Sequence, residues 1–287
     1  MTILNEKYTL NNGVQVPKLG FGTWLIDNDK VATAVQQAAE LGYRHFDTAQ
    51  AYGNEEGVGA GLKASGLNRD EFFVTTKVQA EFKDYETVKN SIDESLQKLG
   101  LDYVDLLLIH SPEPWAEFHG ENHYFKENLA VWRAMEEAVQ AGTVRAIGVS
   151  NFKQADLTNI LENGSIKPAV NQLLTHIGNT SFDLLEQAKQ NDVLVEAYSP
   201  VAHGEILKNE QIKQMAAKYQ VSVPQLAIRY CLELGTLPLP KSETPEHIAD
   251  NAAVDFKIDA ADMEILKNLP QFKDYGDSSG FPVFSGK

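Results

Sequence analysis

VKNSIDESLQKLGLDYVDLLLIH, residues 88–110, reads as a helix, a stop and a strand. Val88, Ile92, Leu96 and Leu99 recur at helical spacing and share one face. Gly100 ends the helix, because a residue without Cβ takes the left-handed conformation that a helix terminus needs. Val104–Ile109 is then a strand-like core around the apolar run Leu106–Ile109, and its polar neighbour His110 follows at once. The unit is therefore a helix, a tight stop, a buried strand and a chemically able side chain at the strand's end.

The same unit recurs along the chain. Val31, Val35 and Ala39 mark an earlier helix stopped at Gly42, and Leu129, Trp132 and Met135 mark another ending near Gly142. Strand-sized runs lie at Leu19-Gly20-Phe21, His45-Phe46, Phe72-Phe73-Val74, Val104–Ile109, Val144–Val149, Pro168-Ala169-Val170, Val193-Leu194-Val195 and Leu237-Pro238-Leu239. Strands that alternate with helices imply a parallel sheet. Eight such units within 287 residues fit an α/β (β/α)₈ barrel better than a doubly wound sheet. No linker or composition break divides the chain, so one domain over residues 1–287 is expected. Residues 1–16 read as an N-terminal hairpin, Tyr8–Leu10 and Val14–Val16 joined by the turn Asn11-Asn12-Gly13, in which Asn-Gly is the hairpin signal.

Composition narrows the function. A formal charge of −15 argues against nucleic acid and anionic lipid as partners. No stretch approaches membrane-span length, the N-terminus lacks a signal-peptide core, and Cys231 is the only cysteine. These features predict a cytoplasmic protein. Any anionic cofactor must then find its cations concentrated locally.

The residues just beyond the strand-sized runs are polar and reactive: Thr23-Trp24, Asp47, Lys77, His110, Ser150-Asn151, Gln172, Tyr198-Ser199 and Lys241-Ser242. In a (β/α)₈ barrel such positions converge on one face, where active sites sit. Asp47, Tyr52, Lys77 and His110 together suggest proton transfer to a carbonyl oxygen. A free phenol, with a pKa of about 10, is a weak acid at neutral pH. A lysine ammonium beside Tyr52 is expected to lower that value, with Asp47 holding Lys77 charged and His110 donating to the substrate oxygen.

These motifs resemble the aldo-keto reductase superfamily. They are Gly22-Thr23-Trp24, Phe46-Asp47-Thr48-Ala49 with Tyr52-Gly53-Asn54-Glu55, Thr76-Lys77, Leu107-Leu108-Ile109-His110, Gly148-Val149-Ser150-Asn151-Phe152, Asn171-Gln172, Tyr198-Ser199-Pro200 and Pro240-Lys241-Ser242. The likeness runs from the hairpin to about Asp262, and within the superfamily the chain resembles the bacterial diketogluconate reductase and glyoxal reductase branch. It implies an NADPH-dependent reductase of small carbonyl compounds, a monomer, with catalytic Tyr52, Lys77, Asp47 and His110. It further implies a nicotinamide cofactor across the barrel mouth, past Gly22 and Thr23. Ser150, Asn151 and Gln172 would meet the carboxamide and Tyr198 would stack on the ring. Ser199, Pro200 and Val201 would shape the pyrophosphate path. Lys241, Ser242 and His247 would face the adenosine phosphate, with Asn251 near the adenine. Trp24, His110, Ser111 and Trp115 are the substrate-side candidates.

The sequence also departs from that pattern. His247 stands where the family's phosphate clamp has an arginine, and histidine is mostly neutral at pH 7. A weakened preference for NADPH, with NADH also used, is the expectation. Ser111 and Gln79 replace aromatic residues of relatives, which predicts a less aromatic pocket suited to small polar aldehydes, α-dicarbonyls or keto-sugars. The tail, residues 270–287 with Phe281 and Phe284, is either a cover for the site or a free end. Gly57-Val58-Gly59-Ala60-Gly61 does not fit a dinucleotide fingerprint and reads as a close helix contact, and His119 and His123 lack metal-site context, so no metal is expected. Two other readings are weighed: a Schiff-base aldolase using Lys77, which Asp47 argues against by keeping the lysine charged, and a non-enzymatic binding protein on the same scaffold, which the intact set of four counts against.

Overall fold

Each of the eight strand-sized runs seeds one strand of a single parallel sheet in the computed structural model, which describes residues 2–285. After the hairpin β1 (Lys7–Thr9) and β2 (Gln15–Pro17), the sheet strands are β3 (Phe21–Gly22), β4 (His45–Asp47), β5 (Phe73–Val78), β6 (Val104–Ile109), β7 (Val144–Ser150), β8 (Val170–Leu174), β9 (Leu194–Tyr198) and β10 (Leu237–Leu239). They neighbour one another in chain order, β3 through β10. Gly20 N–H donates to Pro238 O at 3.1 Å and Gly22 N–H to Pro240 O at 3.0 Å, so the last strand meets the first and the sheet becomes a barrel. A Cβ on Gly22 would lie 3.2 Å from Leu239 O; glycine lets this seam close.

The helices are α1 (Asn28–Glu40), α2 (Glu55–Ala64), α3 (Tyr85–Leu99), α4 (Phe125–Ala141), α5 (Gln154–Asn163), α6 (Phe182–Gln190), α7 (Glu210–Lys218), α8 (Val223–Glu233), α9 (Pro245–Ala252) and α10 (Ala260–Lys267). Among the described residues none is long and apolar enough to cross a membrane. Helix α3 starts at Asp84, whose side chain accepts from Thr87 N–H, and stops at Gly100 with φ 65°. Its buried face includes Val88, Ile92 and Leu99, as the spacing predicts. The glycine run lies inside α2. A Cβ on Gly57, Gly59 or Gly61 would fall 2.3, 2.2 or 2.6 Å from a backbone oxygen of Asn28, Leu99 or Ala32. These glycines thus let α2 pack directly on the backbones of α1 and α3.

The barrel explains why the strands look continuously apolar. Leu107 and Ile109 face the helices while Leu106 and Leu108 fill the interior, so both faces of β6 are buried. The period of two also grades the interior from bottom to top. Phe73, Leu106 and Leu237 form an apolar base together with Leu10 and Val16 of the hairpin. Above it, inward positions become polar: His45, Thr75 and Glu196, then Asp47, Lys77 and Gln172, all buried.

That gradient corrects several predicted boundaries. β5 runs on through Thr75–Val78 and β9 through Glu196–Tyr198, because polar residues there point into the barrel rather than ending a strand. β8 begins at Val170, so Pro168 and Ala169 precede it and Gln172 lies within it. The hairpin turn is Asn11-Asn12-Gly13, as expected: Gly13, φ 86°, donates to Leu10 O, while Leu10 N–H bonds Val14 O.

Candidate active site

Tyr52 is delivered by the chain immediately after β4. Residues Gln50–Tyr52 make one 3₁₀ turn that Gly53 ends at φ 66°. Asn54 fixes it: its Nδ2 donates to Thr23 O at 2.9 Å and Ile26 O at 3.0 Å, and its Oδ1 accepts from Thr48 Oγ1 at 2.7 Å. Gln50 binds the other side through Gln79 N–H and the α3 residues Ser91 and Ser95. Neither Asn54 nor Gln50 was singled out as functional by the sequence reading. Their signal was placement in a turn that must be stapled without regular structure.

Lys77 reaches up from β5 beneath this turn. Its Nζ donates to Asp47 Oδ1 at 2.6 Å, Thr48 O at 2.8 Å and Tyr52 OH at 3.2 Å. Burial disfavours the Lys77 ammonium, but Asp47 and Tyr52 outweigh it and the pKa moves up from its usual value. A lysine held charged by three acceptors is a poor Schiff-base nucleophile. Burial also pushes the Tyr52 phenol up, against the opposing pull of Lys77. The expected net lowering of that pKa is therefore corrected: desolvation is the larger effect. The phenol holds its proton at neutral pH, and Lys77 stabilises the phenolate only as the proton leaves.

His110 packs edge-on to Tyr52, ring centroids 5.5 Å apart, and to Trp115, 5.1 Å. Burial first, then the Lys77 charge, holds its pKa well below the ordinary value, so it is a neutral imidazole. One N–H therefore remains for a ligand.

Asp47, Tyr52 and His110 border a cavity of about 620 Å³ at the C-terminal end of the strands. Gly22, Thr23, Trp24, Trp115, Ser150, Asn151, Gln172, Tyr198, Ser199, Pro200, Val201 and Lys241 also line it. Lys77 is sealed below. Ser111 is not brought to the cavity: it is buried, and its carbonyl accepts from Lys83 Nζ at 3.0 Å. Ser242, His247 and Asn251 also lie outside the lining. Lys241 pairs with Glu243 at 2.8 Å. His119 meets Pro282 O, and His123 pairs with Asp156.

The remaining wall comes from the tail. Phe281, Pro282, Val283 and Phe284 line the cavity, and Trp24 stacks on Phe284 with centroids 5.8 Å apart. The expected less aromatic pocket is corrected: tail aromatics replace those absent at Ser111 and Gln79. Residues 286–287 of the expected cover lie outside the described residues.

The cavity rim is conformationally strained. Leu25, Asn151, Ser199 and His203 have positive φ without being glycine, and all four line the cavity. Such residues persist where surrounding structure fixes them, often around a ligand. Asn151 is fixed by Tyr198 OH, which donates to its Oδ1 at 2.7 Å, and by its own Nδ2 bond to His110 O at 3.0 Å. Ser150 Oγ donates to Gln172 O at 3.0 Å. Strand-end amides near Tyr52 and a cation at the rim suit a nicotinamide at one end and a phosphate at the other.

Comparison with known proteins gives the same direction. The Aldo/keto reductase family matches residues 18–270. The chain is 41% identical over 270 residues to a glyoxal reductase of Bacillus subtilis, covering 93% of this chain and 94% of that protein. It is 37% identical over 270 residues to a methylglyoxal reductase of Escherichia coli O157:H7, covering 93% and 94%. A solved aldo/keto reductase of Brucella melitensis superposes with a TM-score of 0.85 at 38% identity, covering 91% of this chain and 98% of that one. A Bombyx mori aldo-keto reductase solved in complex with NADP gives 0.85 at 32%, covering 97% and 98%. The chain belongs to the aldo/keto reductase family.

Proposed function

We propose that this protein reduces small aldehydes and ketones to alcohols with NADPH. The observation that carries the reading is the buried chain Asp47–Lys77–Tyr52, 2.6 and 3.2 Å link by link, ending beside His110 at the cavity. When bound, the reduced nicotinamide supplies the hydride to the carbonyl carbon. Ser150, Asn151 and Gln172 hold its carboxamide, and Lys241 meets the phosphate. His110 gives its N–H to the carbonyl oxygen and sets the angle of approach. Tyr52 gives that oxygen its proton, the phenolate left behind is stabilised by Lys77, and water returns the proton. Asp47 keeps Lys77 charged throughout.

The named activities of the glyoxal and methylglyoxal reductases support small α-dicarbonyls as the substrate class. Trp24, Trp115 and the tail aromatics would confine such molecules against His110. NADH is also a substrate in this reading, because Glu243 already engages the cation that a 2′-phosphate needs. The acidic charge and the lone, buried Cys231 support a cytoplasmic enzyme, acting as one domain over residues 1–287 and as a monomer.

Tyr52→Phe removes only the proton donor. Its reduction of methylglyoxal is expected to fall by about 10²–10⁴-fold, while fluorescence titration with NADPH is little changed. Reduction at the parent rate would refute the assignment of Tyr52.

A further inference from the structure

Below the catalytic residues lies a second buried carboxyl group that the reaction does not use. Glu196 points inward from β9 and is fully buried. Its Oε2 accepts from Gln172 Nε2 at 2.8 Å. The same nitrogen donates to Asp47 Oδ2, also at 2.8 Å. Both hydrogens of the Gln172 amide are therefore engaged by carboxyl groups, one on each side. Asp47, paired with the Lys77 ammonium, can only accept, so chemistry fixes which end of the amide is which. The carbonyl Oε1 of Gln172 accepts no hydrogen bond among the described residues, and it is not sealed off as His45 Nδ1 and Glu196 Oε1 are. It is the part of the side chain left for the cavity that Gln172 lines.

We propose that Glu196 is a positioning residue for the cofactor: with Asp47 it pins the Gln172 amide so that the carbonyl oxygen is presented to the carboxamide NH₂ of the nicotinamide. This inference rests on the nicotinamide reading of the cavity. Without Glu196, one amide hydrogen loses its acceptor and Asp47 alone holds the amide, so its carbonyl oxygen is no longer pinned toward the nicotinamide.

The surroundings fit this role. Asp47 and His45 on β4, Thr75 and Lys77 on β5 and Gln172 on β8 are the polar groups around Glu196. Its Oε1 lies 4.0 Å from His45 Nε2, which bonds Thr75 Oγ1 at 2.9 Å. Burial, then the charge of Asp47, pushes the Glu196 carboxyl up to about 8. Burial, then Lys77, takes His45 down to about 3. Glu196 is therefore a neutral acid beside a neutral imidazole at pH 7. It accepts from Gln172 without setting a second negative charge against Asp47.

The test compares binding of NADP⁺ with binding of its 3-acetylpyridine analogue, in which a methyl group replaces the carboxamide NH₂. One hydrogen bond separates the two ligands, so the parent is expected to bind NADP⁺ about two- to tenfold tighter in a fluorescence titration. Glu196→Leu should cut that discrimination most, and Glu196→Gln, which keeps an oxygen toward Gln172, should preserve it. Glu196→Asp, which withdraws the oxygen by one methylene, should reduce it and serves if the leucine variant does not fold. A purely structural role would weaken both ligands equally and leave the ratio intact, which overturns the proposal. A parent that binds both ligands alike also overturns it. A parent that binds neither refutes the nicotinamide reading itself.

Discussion

At the scale of single residues, the same types of group do different work according to what surrounds them. Lys77 and Lys241 are both paired with carboxylates, at 2.6 and 2.8 Å. Lys77 is sealed, so its pairing is not screened and fixes a charge under Tyr52. Lys241 and Glu243 sit at the rim, partly exposed, where such a pair is worth about 0.2–1 kcal/mol. That is enough to tilt a cofactor preference but not to define one. Glu243→Gln should therefore raise the ratio of kcat/KM for NADPH over NADH by roughly 1.4- to 5-fold, with the NADH value nearly unchanged. A gain of equal size for both cofactors would show that Glu243 acts on something other than the phosphate. The arginine missing at His247 is a weaker signal, since His247 lies outside the cavity lining.

At the scale of elements, most of the architecture was legible because helices and strands announce themselves by period. Helix α3 and strand β6 match the reading of residues 88–110. Strand ends were legible only where the interior stayed apolar. Thr75 and Lys77, or Glu196 and Tyr198, look like exits from a strand, since nothing local tells a polar barrel interior from solvent. Likewise the grouping of Asp47, Tyr52, Lys77 and His110 could be read from motifs, whereas the contacts of Asn54, Glu196 and the tail wall are distant in sequence. Ser111 was misplaced because adjacency to His110 does not fix which side of the strand a residue faces. The glycines of α2 offer a quantitative check. Alanine in place of glycine favours a helix by about 1 kcal/mol. At Gly59 the new Cβ would meet Leu99 O at 2.2 Å and Leu99 C at 2.7 Å, and backbone cannot rotate away. Overpacking of about 1–3 kcal/mol should win at so short an approach. Gly59→Ala is expected to lower Tm by up to about 8 °C, from a net loss of up to about 2 kcal/mol, and a raised Tm would mean that α2 slides freely on α3.

At the scale of the whole molecule, the barrel is sealed below and open above. The hairpin contributes Leu10 and Val16 to the base, and Asn11 Nδ2 reaches Pro168 O at 2.9 Å. The opposite end carries every group assigned to chemistry. Between them, the interior gradient converts a fold-stabilising core into a reaction floor within a few residues of each strand. The chain's charge of −15 lies elsewhere, so the cavity floor can hold Asp47 and Lys77 as a neutral sum.

The seam between β3 and β10 has a consequence for motion. Here the barrel is joined through Gly20 and Gly22 to Pro238 and Pro240, where the first strand is two residues long and the last three. It is the place where the first and last strands of the sheet meet. Gly22 and Lys241 border the cavity from opposite sides of it. A bound dinucleotide would bridge that joint like a clasp across a hoop. Amide hydrogen exchange at Gly20 and Gly22 should then slow markedly when NADP⁺ is added, while exchange within β6 and β7 stays as it was. Uniform slowing across all strands would mean that the hoop opens as one piece and has no clasp.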